Sequence, residues 1–284
     1  MLKKVINLIL YGNFWIACCA LALCFQMQLI LSIPLTLDVL VFFAFFATLF
    51  LYAAHRIVGI SKLHEYFQVE RYGVISTFKQ HIRIYAAIGL IGSLVCFFYL
   101  SRSVQLALLI PAIVSLAYVI PFLGTNRRLR DVNHVKIFMV AIVWAWVTVL
   151  LPALEYGMFF DKNLMAMLVE RALFIFAITL PFDIRDLKVD AHSDVKTIPA
   201  QIGVSNTKHL GAACLVIAFL IAFFLFQNGV YPQAVLIGLL LSYLSTTILV
   251  YLSDPKRHDY FYSGLMDGTM VFQFLFVWLC YQVM

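Results

Sequence analysis

The chain has 284 residues, 64% hydrophobic and only 12% charged, with a formal net charge of +6. That apolar content exceeds what a soluble core can bury, which excludes a soluble enzyme and a disordered chain and predicts a polytopic helical membrane protein. In such a protein Lys and Arg report topology before partners, so the positive charge is not read as a nucleic-acid surface.

Nine apolar runs follow in chain order: 5–31, 37–59, 82–100, 104–122, 135–154, 164–182, 210–227, 233–252 and 260–283. Each has roughly the 20 residues that cross about 30 Å of hydrocarbon. The first run follows Lys3 and Lys4 and is too long for a signal peptide, so it is read as a retained helix. Turn signals such as Ser32-Ile-Pro34, Asn228-Gly229 and Ser253-Asp-Pro255 separate the runs. The expected fold is all-α, a bundle of about nine transmembrane helices forming a single domain over 1–284. The six cysteines all lie in apolar runs without a C-x-x-C pair, the pattern of buried free thiols.

The basic residues orient this bundle. Seventeen of the twenty fall at the N-terminus or in the connections after helices two, four, six and eight. Arg102 and Lys162 lie on the other side, and Arg171 is mid-span. The asymmetry predicts a cytoplasmic N-terminus and an outside C-terminus, in a bacterial inner membrane. The connections after helices two, four and six are long and charged, so the working face is expected to be cytoplasmic.

On that face, directly after the sixth run, Asp183, Asp186, Asp190 and Asp194 fall at offsets of 0, 3, 7 and 11. On a helix these positions share one face. Such a stripe repels itself unless it meets a hard cation or basic partners. Mg²⁺ suits it, because Mg²⁺ takes one or two carboxylates together with phosphate oxygens. Arg185, Lys188 and Lys196 sit among the acids and can meet the same phosphates. The plainer alternative is a solvated acidic loop.

Other ionisable residues carry two readings each. Glu170 and Arg171, near mid-span, either line a cavity or bond neighbouring helices. Because adjacent residues on a helix point about 100° apart, they are not expected to share one contact. Asp267 either joins the cytoplasmic site or ties two helices together. Asp131 and Lys136 either border a phosphate site or flank a membrane helix, and the run from Arg127 to Arg130 reads first as an interface anchor. His192 and Ser193 build no nucleophilic triad.

The stretch Leu180-Pro-Phe-Asp-Ile-Arg-Asp-Leu-Lys-Val-Asp190, with Lys196-Thr-Ile-Pro-Ala-Gln-Ile-Gly203 behind it, resembles the second Asp-rich motif of the UbiA superfamily of intramembrane prenyltransferases. Ala117-Tyr118 through Pro121, with Arg127 and Arg128, resembles the Tyr-then-basic end of that family's fourth helix. The resemblance implies two Asp-rich motifs that hold Mg²⁺ on a polyprenyl diphosphate, with the tail in the bundle and an acceptor attacking C1. It assigns metal binding to Asp183, Asp186 and Asp190, a catalytic role to Asp186 and Asp190, and phosphate contacts to Arg185, Lys188 and Arg127.

The first motif has no counterpart. At the end of helix two stand His55 and Arg56, and no carboxylate lies between Asp38 and Glu65. Three readings follow. Arg56, helped by His55 and Lys62, contacts phosphate directly, since a guanidinium offers a bidentate positive face. Alternatively the chain has lost transfer chemistry and binds or moves an isoprenoid lipid, or Arg56 only snorkels to the interface. The leading expectation is a Mg²⁺-dependent transferase of prenyl groups from a lipid-soluble phosphate donor. A non-catalytic isoprenoid-lipid binder is the rival, with a generic ion-coupled transporter third.

Overall fold

The computed structural model describes residues 2–62, 78–119, 135–192 and 196–284. Its elements among them are helices, twelve α-helices and two π-helical stretches. They run α1 (Leu2–Tyr11), α2 (Phe14–Ile30), α3 (Val39–Lys62), α4 (Lys79–Tyr99), α5 (Arg102–Ala107), α6 (Leu109–Val119), α7 (Val135–Ala145), α8 (Leu151–Glu155), α9 (Lys162–His192), α10 (Ile198–Gln227), α11 (Gln233–Leu252) and α12 (Asp267–Val283). The π stretches, Trp146–Leu150 and Phe261–Met266, join α7 to α8 and lead into α12.

Seven helical segments among the described residues are long and apolar enough to cross a membrane, and an eighth counts if the bent pair α1–α2 is one span. The fourth apolar run appears as the shorter pair α5 and α6. The chain is therefore an integral, multi-pass helical membrane protein with seven or eight such spans among its described residues.

The first run, expected as one helix, is broken. Asn13 adopts the left-handed conformation at φ 67°, which Asn tolerates better than most residues, and α1 meets α2 at 59°. The sixth run is longer than expected. Pro181 lies inside α9, and the helix continues to His192. Proline is tolerated in membrane helices because their neighbours help to satisfy the freed backbone group. At 31 residues and 1.5 Å per residue α9 measures roughly 46 Å, well beyond about 30 Å of hydrocarbon. The same helix therefore carries Asp183, Asp186 and Asp190 beyond its apolar run. The seventh run also begins earlier, at Ile198, and kinks at Gly203 with φ 82° and ψ 161°, a conformation open essentially to glycine alone.

The main core is built from α2, α7, α9, α10, α11 and α12, around Leu23, Met27, Phe174, Leu215, Leu239 and Val277. Close approach needs small residues where no hydrophobic force separates helix from lipid. A Cβ at Gly238 would lie 2.5 Å from the Val277 Cα, so α11 and α12 touch backbone to backbone there. Ile84, Ile88, Ile91, Val95 and Phe98 of α4 remain exposed, the face that such a protein presents to lipid.

Candidate functional site

The last turns of α9, the second half of α1, the start of α7 and the segment before α12 meet at one end of the bundle. Asp183 is 2% exposed, yet it carries a charge partner. The Lys136 ammonium, on the first turn of α7, lies 2.6 Å from Asp183 Oδ1 and 3.7 Å from Asp190 Oδ2. Asp183 and Asp190 are two helical turns apart on one face of α9, as their spacing predicts. One cation thus bridges the two acids.

Asp186 is turned elsewhere. Arg185 donates to it from Nε and Nη2, both at 2.9 Å, a bidentate pair, and donates from Nη1 to Asp259 at 2.7 Å. The same guanidinium lies 5.0 Å from the Phe182 ring centre and 5.4 Å from that of Tyr262, within cation–π range. Tyr262 is fixed by hydrogen bonds with the backbone of Asp254 and sits in the π stretch before α12. Such stretches are frequent at functional sites. The fields of Arg185, Arg56 and Asp259 all act on the Asp267 carboxylate at the start of α12.

Arg56 reaches this neighbourhood from α3. It donates from Nη2 to the Leu10 carbonyl at 3.5 Å and stands 5.6 Å from the Tyr11 ring centre. The break at Asn13 lets α1 cover this end of the bundle, where Tyr260 donates to Asn7. A straight first span would not place Leu10 and Tyr11 over the charges.

The structure therefore brings Asp183, Asp190 and Lys136 into one group, and Arg185, Asp186, Asp259, Asp267 and Arg56 into a second beside it. It does not bring Asp186 to Asp183 and Asp190. His55 is half-buried next to Arg56, and Lys188 is exposed on α9. Lys62 ends α3. Arg127, Asp131 and Asp194 lie outside the described residues. Asp259 escaped the sequence reading, although it shares a basic-side connection with Asp254; counting acids there would have found it. Tyr11 and Tyr262 gave no signal, being two tyrosines among fourteen.

Among the described residues no three His, Cys, Asp or Glu side chains converge as a metal cage. Asp183 and Asp190 nevertheless already hold one cation between them, and their oxygens are the hard donors Mg²⁺ takes. The pair fits one such ion completed by phosphate oxygens and water. The half of α3 that bears His55 and Arg56 supplies no carboxylate for a second.

Two other polar groups belong to the scaffold. Glu170 accepts from Tyr231 at 3.1 Å and from Tyr243. Arg171 donates to Gln26 at 2.9 Å and to Thr148 at 3.4 Å. Both are 1% exposed and bond to different neutral groups, in line with their divergent directions on α9. At the opposite end, Gln28 donates to Thr36, Asp38 and Tyr156, and Tyr156 donates to Asp38. Burial first, then the bond to Asp38, raises the Tyr156 phenol above its ordinary pKa. That cluster staples the connection between α2 and α3.

A family model, the UbiA prenyltransferase family, matches residues 71–279. No curated protein sequence matches the chain. Among solved structures, a UbiA homologue from Archaeoglobus fulgidus bound to DMAPP and Mg²⁺ superposes with a TM-score of 0.64 at 11% identity, covering 99% of both chains. The apo UbiA homologue from Aeropyrum pernix K1 gives 0.63 at 13% identity over 94% of this chain and 97% of that one. A digeranylgeranylglyceryl phosphate synthase gives 0.59 at 12% identity over 99% and 98%. At these identities the structures speak for a shared fold.

Proposed function

The chain belongs to the UbiA prenyltransferase family, and from that premise we propose that it transfers a prenyl group from a membrane-soluble prenyl diphosphate to an acceptor at the face bearing Asp183. The observation that carries this reading is the pairing of acids with bases at one end of α9. Asp183 and Asp190 share the Lys136 ammonium, and Arg185, paired with Asp186 and Asp259, adds positive charge to the neighbouring group at the same end. The homologue bound to DMAPP and Mg²⁺ supports the same pairing of ligand and metal here. The seventeen-to-two split of basic residues argues that this face is cytoplasmic.

In the reaction the C1–O bond of the donor breaks and the diphosphate leaves with the electron pair. C1 bonds to the acceptor, which gives up a proton. Asp183 and Asp190 would hold one Mg²⁺, which when bound stabilises negative charge on the leaving group. Arg56 and Lys136 meet the remaining phosphate oxygens, Arg56 with the planar fork that matches phosphate. Asp186 and Asp259 act through Arg185, fixing its guanidinium against Phe182 and Tyr262. Lys188 contributes general positive field from the exposed side of the helix. Trp144 donates to the Tyr52 hydroxyl at 3.3 Å and so ties α7 to α3 below the charged end.

The lack of a carboxylate on the cytoplasmic half of α3 favours a second reading, an isoprenoid-lipid binder without catalysis. One experiment separates the two. Purified protein is mixed with a prenyl diphosphate and Mg²⁺, and both melting temperature and free diphosphate are followed as acceptor-containing membrane extract is added. A transferase is stabilised by the donor and then releases diphosphate. Stabilisation without release identifies the binder, and neither effect overturns both readings.

A further inference from the structure

The bridging position of Lys136 has a consequence for how the site loads. We infer that Lys136 is an exchangeable internal cation: it occupies the carboxylate pair in the donor-free protein and passes to the donor's diphosphate when a divalent metal takes its place. This rests on the proposed metal–diphosphate reading and adds a role for a residue outside the Asp-rich stretch.

The geometry supplies the reasons. An ammonium 2.6 Å from Asp183 Oδ1 and 3.7 Å from Asp190 Oδ2 occupies the space a metal ion shared by those oxygens would need. Both cannot hold the pair at once. Asp183 is buried, and a buried carboxylate is costly unless a positive charge lies against it, which Lys136 supplies at 2.6 Å. Lys136 satisfies that need at no concentration cost, because it is part of the chain. Its side chain keeps 17% exposure and a flexible four-carbon stem, so it can swing while α7 stays in place. A metal arriving alone must displace it without offering it a new anion. A metal arriving with diphosphate brings several anionic oxygens, which give the displaced ammonium a new partner. Metal and diphosphate therefore bind with positive coupling, and Lys136 is the source of that coupling.

The test uses Mn²⁺ as the metal probe and inorganic pyrophosphate as the anion probe, on full-length protein in detergent. Mn²⁺ affinity is read by electron paramagnetic resonance, independently of activity. Wild type binds Mn²⁺ weakly alone and more tightly with pyrophosphate. Lys136→Met binds Mn²⁺ alone about 10- to 100-fold more tightly than wild type, and pyrophosphate improves it less. Lys136→Arg keeps the charge and stays within a few-fold of wild type. Should Lys136→Met fail to fold, Lys136→Gln carries the same comparison, since its amide still bonds to Asp183 without the charge. Equal Mn²⁺ affinity in wild type and Lys136→Met, abolished in both by Asp190→Asn, overturns the exchange and leaves the metal site standing. No Mn²⁺ binding in either protein, with or without pyrophosphate, overturns the metal reading and the exchange together.

Discussion

Helix α9 carries two charged layers, and they are built by different rules. The inner layer, Glu170 and Arg171, is closed: each side chain is 1% exposed and bonded to neutral Tyr, Gln or Thr groups of other segments. The outer layer, Asp183 to Asp190, lies roughly 18 Å further along the helix at 1.5 Å per residue, and its partners are themselves charged. Neutral partners have nothing to gain from an arriving ion, so the inner layer is a scaffold. Charged partners can be exchanged for a metal or a phosphate, so the outer layer is where a ligand can enter. Burial alone does not separate the two, since Asp183 is nearly as buried as Glu170.

The sharpest way to break this contrast is to remove Arg171. Arg171→Ala deprives Gln26 and Thr148 of a partner and opens a void in the core. The expected cost is about 3–5 kcal/mol, read as a lower midpoint of unfolding in detergent. Donor affinity of the folded fraction should not change. A protein of normal stability and weakened donor binding would move Arg171 into the site and erase the distinction.

A smaller effect is expected at Arg56, which tests whether the outer layer extends onto α3. A charge-assisted hydrogen bond to phosphate is worth about 1.5–3 kcal/mol. Arg56→Ala should accordingly weaken prenyl diphosphate binding by roughly 10- to 100-fold at fixed Mg²⁺. Arg56→Lys should recover only part, because one ammonium lacks the bidentate fork. If lysine and alanine both bind as wild type does in calorimetry, Arg56 marks the interface and α3 contributes nothing to the site.

The smallest effect concerns the backbone that follows the outer layer. Gly203 has open space around its Cα, but its φ of 82° and ψ of 161° exclude side chains. Gly203→Ala should cost about 1–3 kcal/mol of stability through strain alone. Stability equal to wild type would show that the kink relaxes without consequence for α9.

The pairing of Asp183 with Asp190 was legible because helical spacing maps directly onto a helix face, and α9 does continue past Asp190. The shared side of α3, α7 and α9 ends was legible from the Lys and Arg asymmetry. What the sequence concealed were tertiary choices. The 3-residue step that aligns Asp186 with Asp183 does not reveal that Arg185 will capture Asp186, since Asp259 enters from 74 residues away. Lys136 reads equally as a helix flank or a site residue until α7 is packed on α9. The break at Asn13 is hidden inside an unbroken apolar run, because hydropathy does not register a single left-handed residue.

The central claim is that the outer end of α9 is a metal–diphosphate site, and a Mg²⁺ titration of donor affinity tests it most directly. Calorimetry with a prenyl diphosphate should show wild-type affinity rising with Mg²⁺, while Asp190→Asn, still folded by size exclusion and circular dichroism, shows weak affinity that Mg²⁺ does not improve. An Asp190→Asn protein that follows the wild-type curve across the titration would contradict the account.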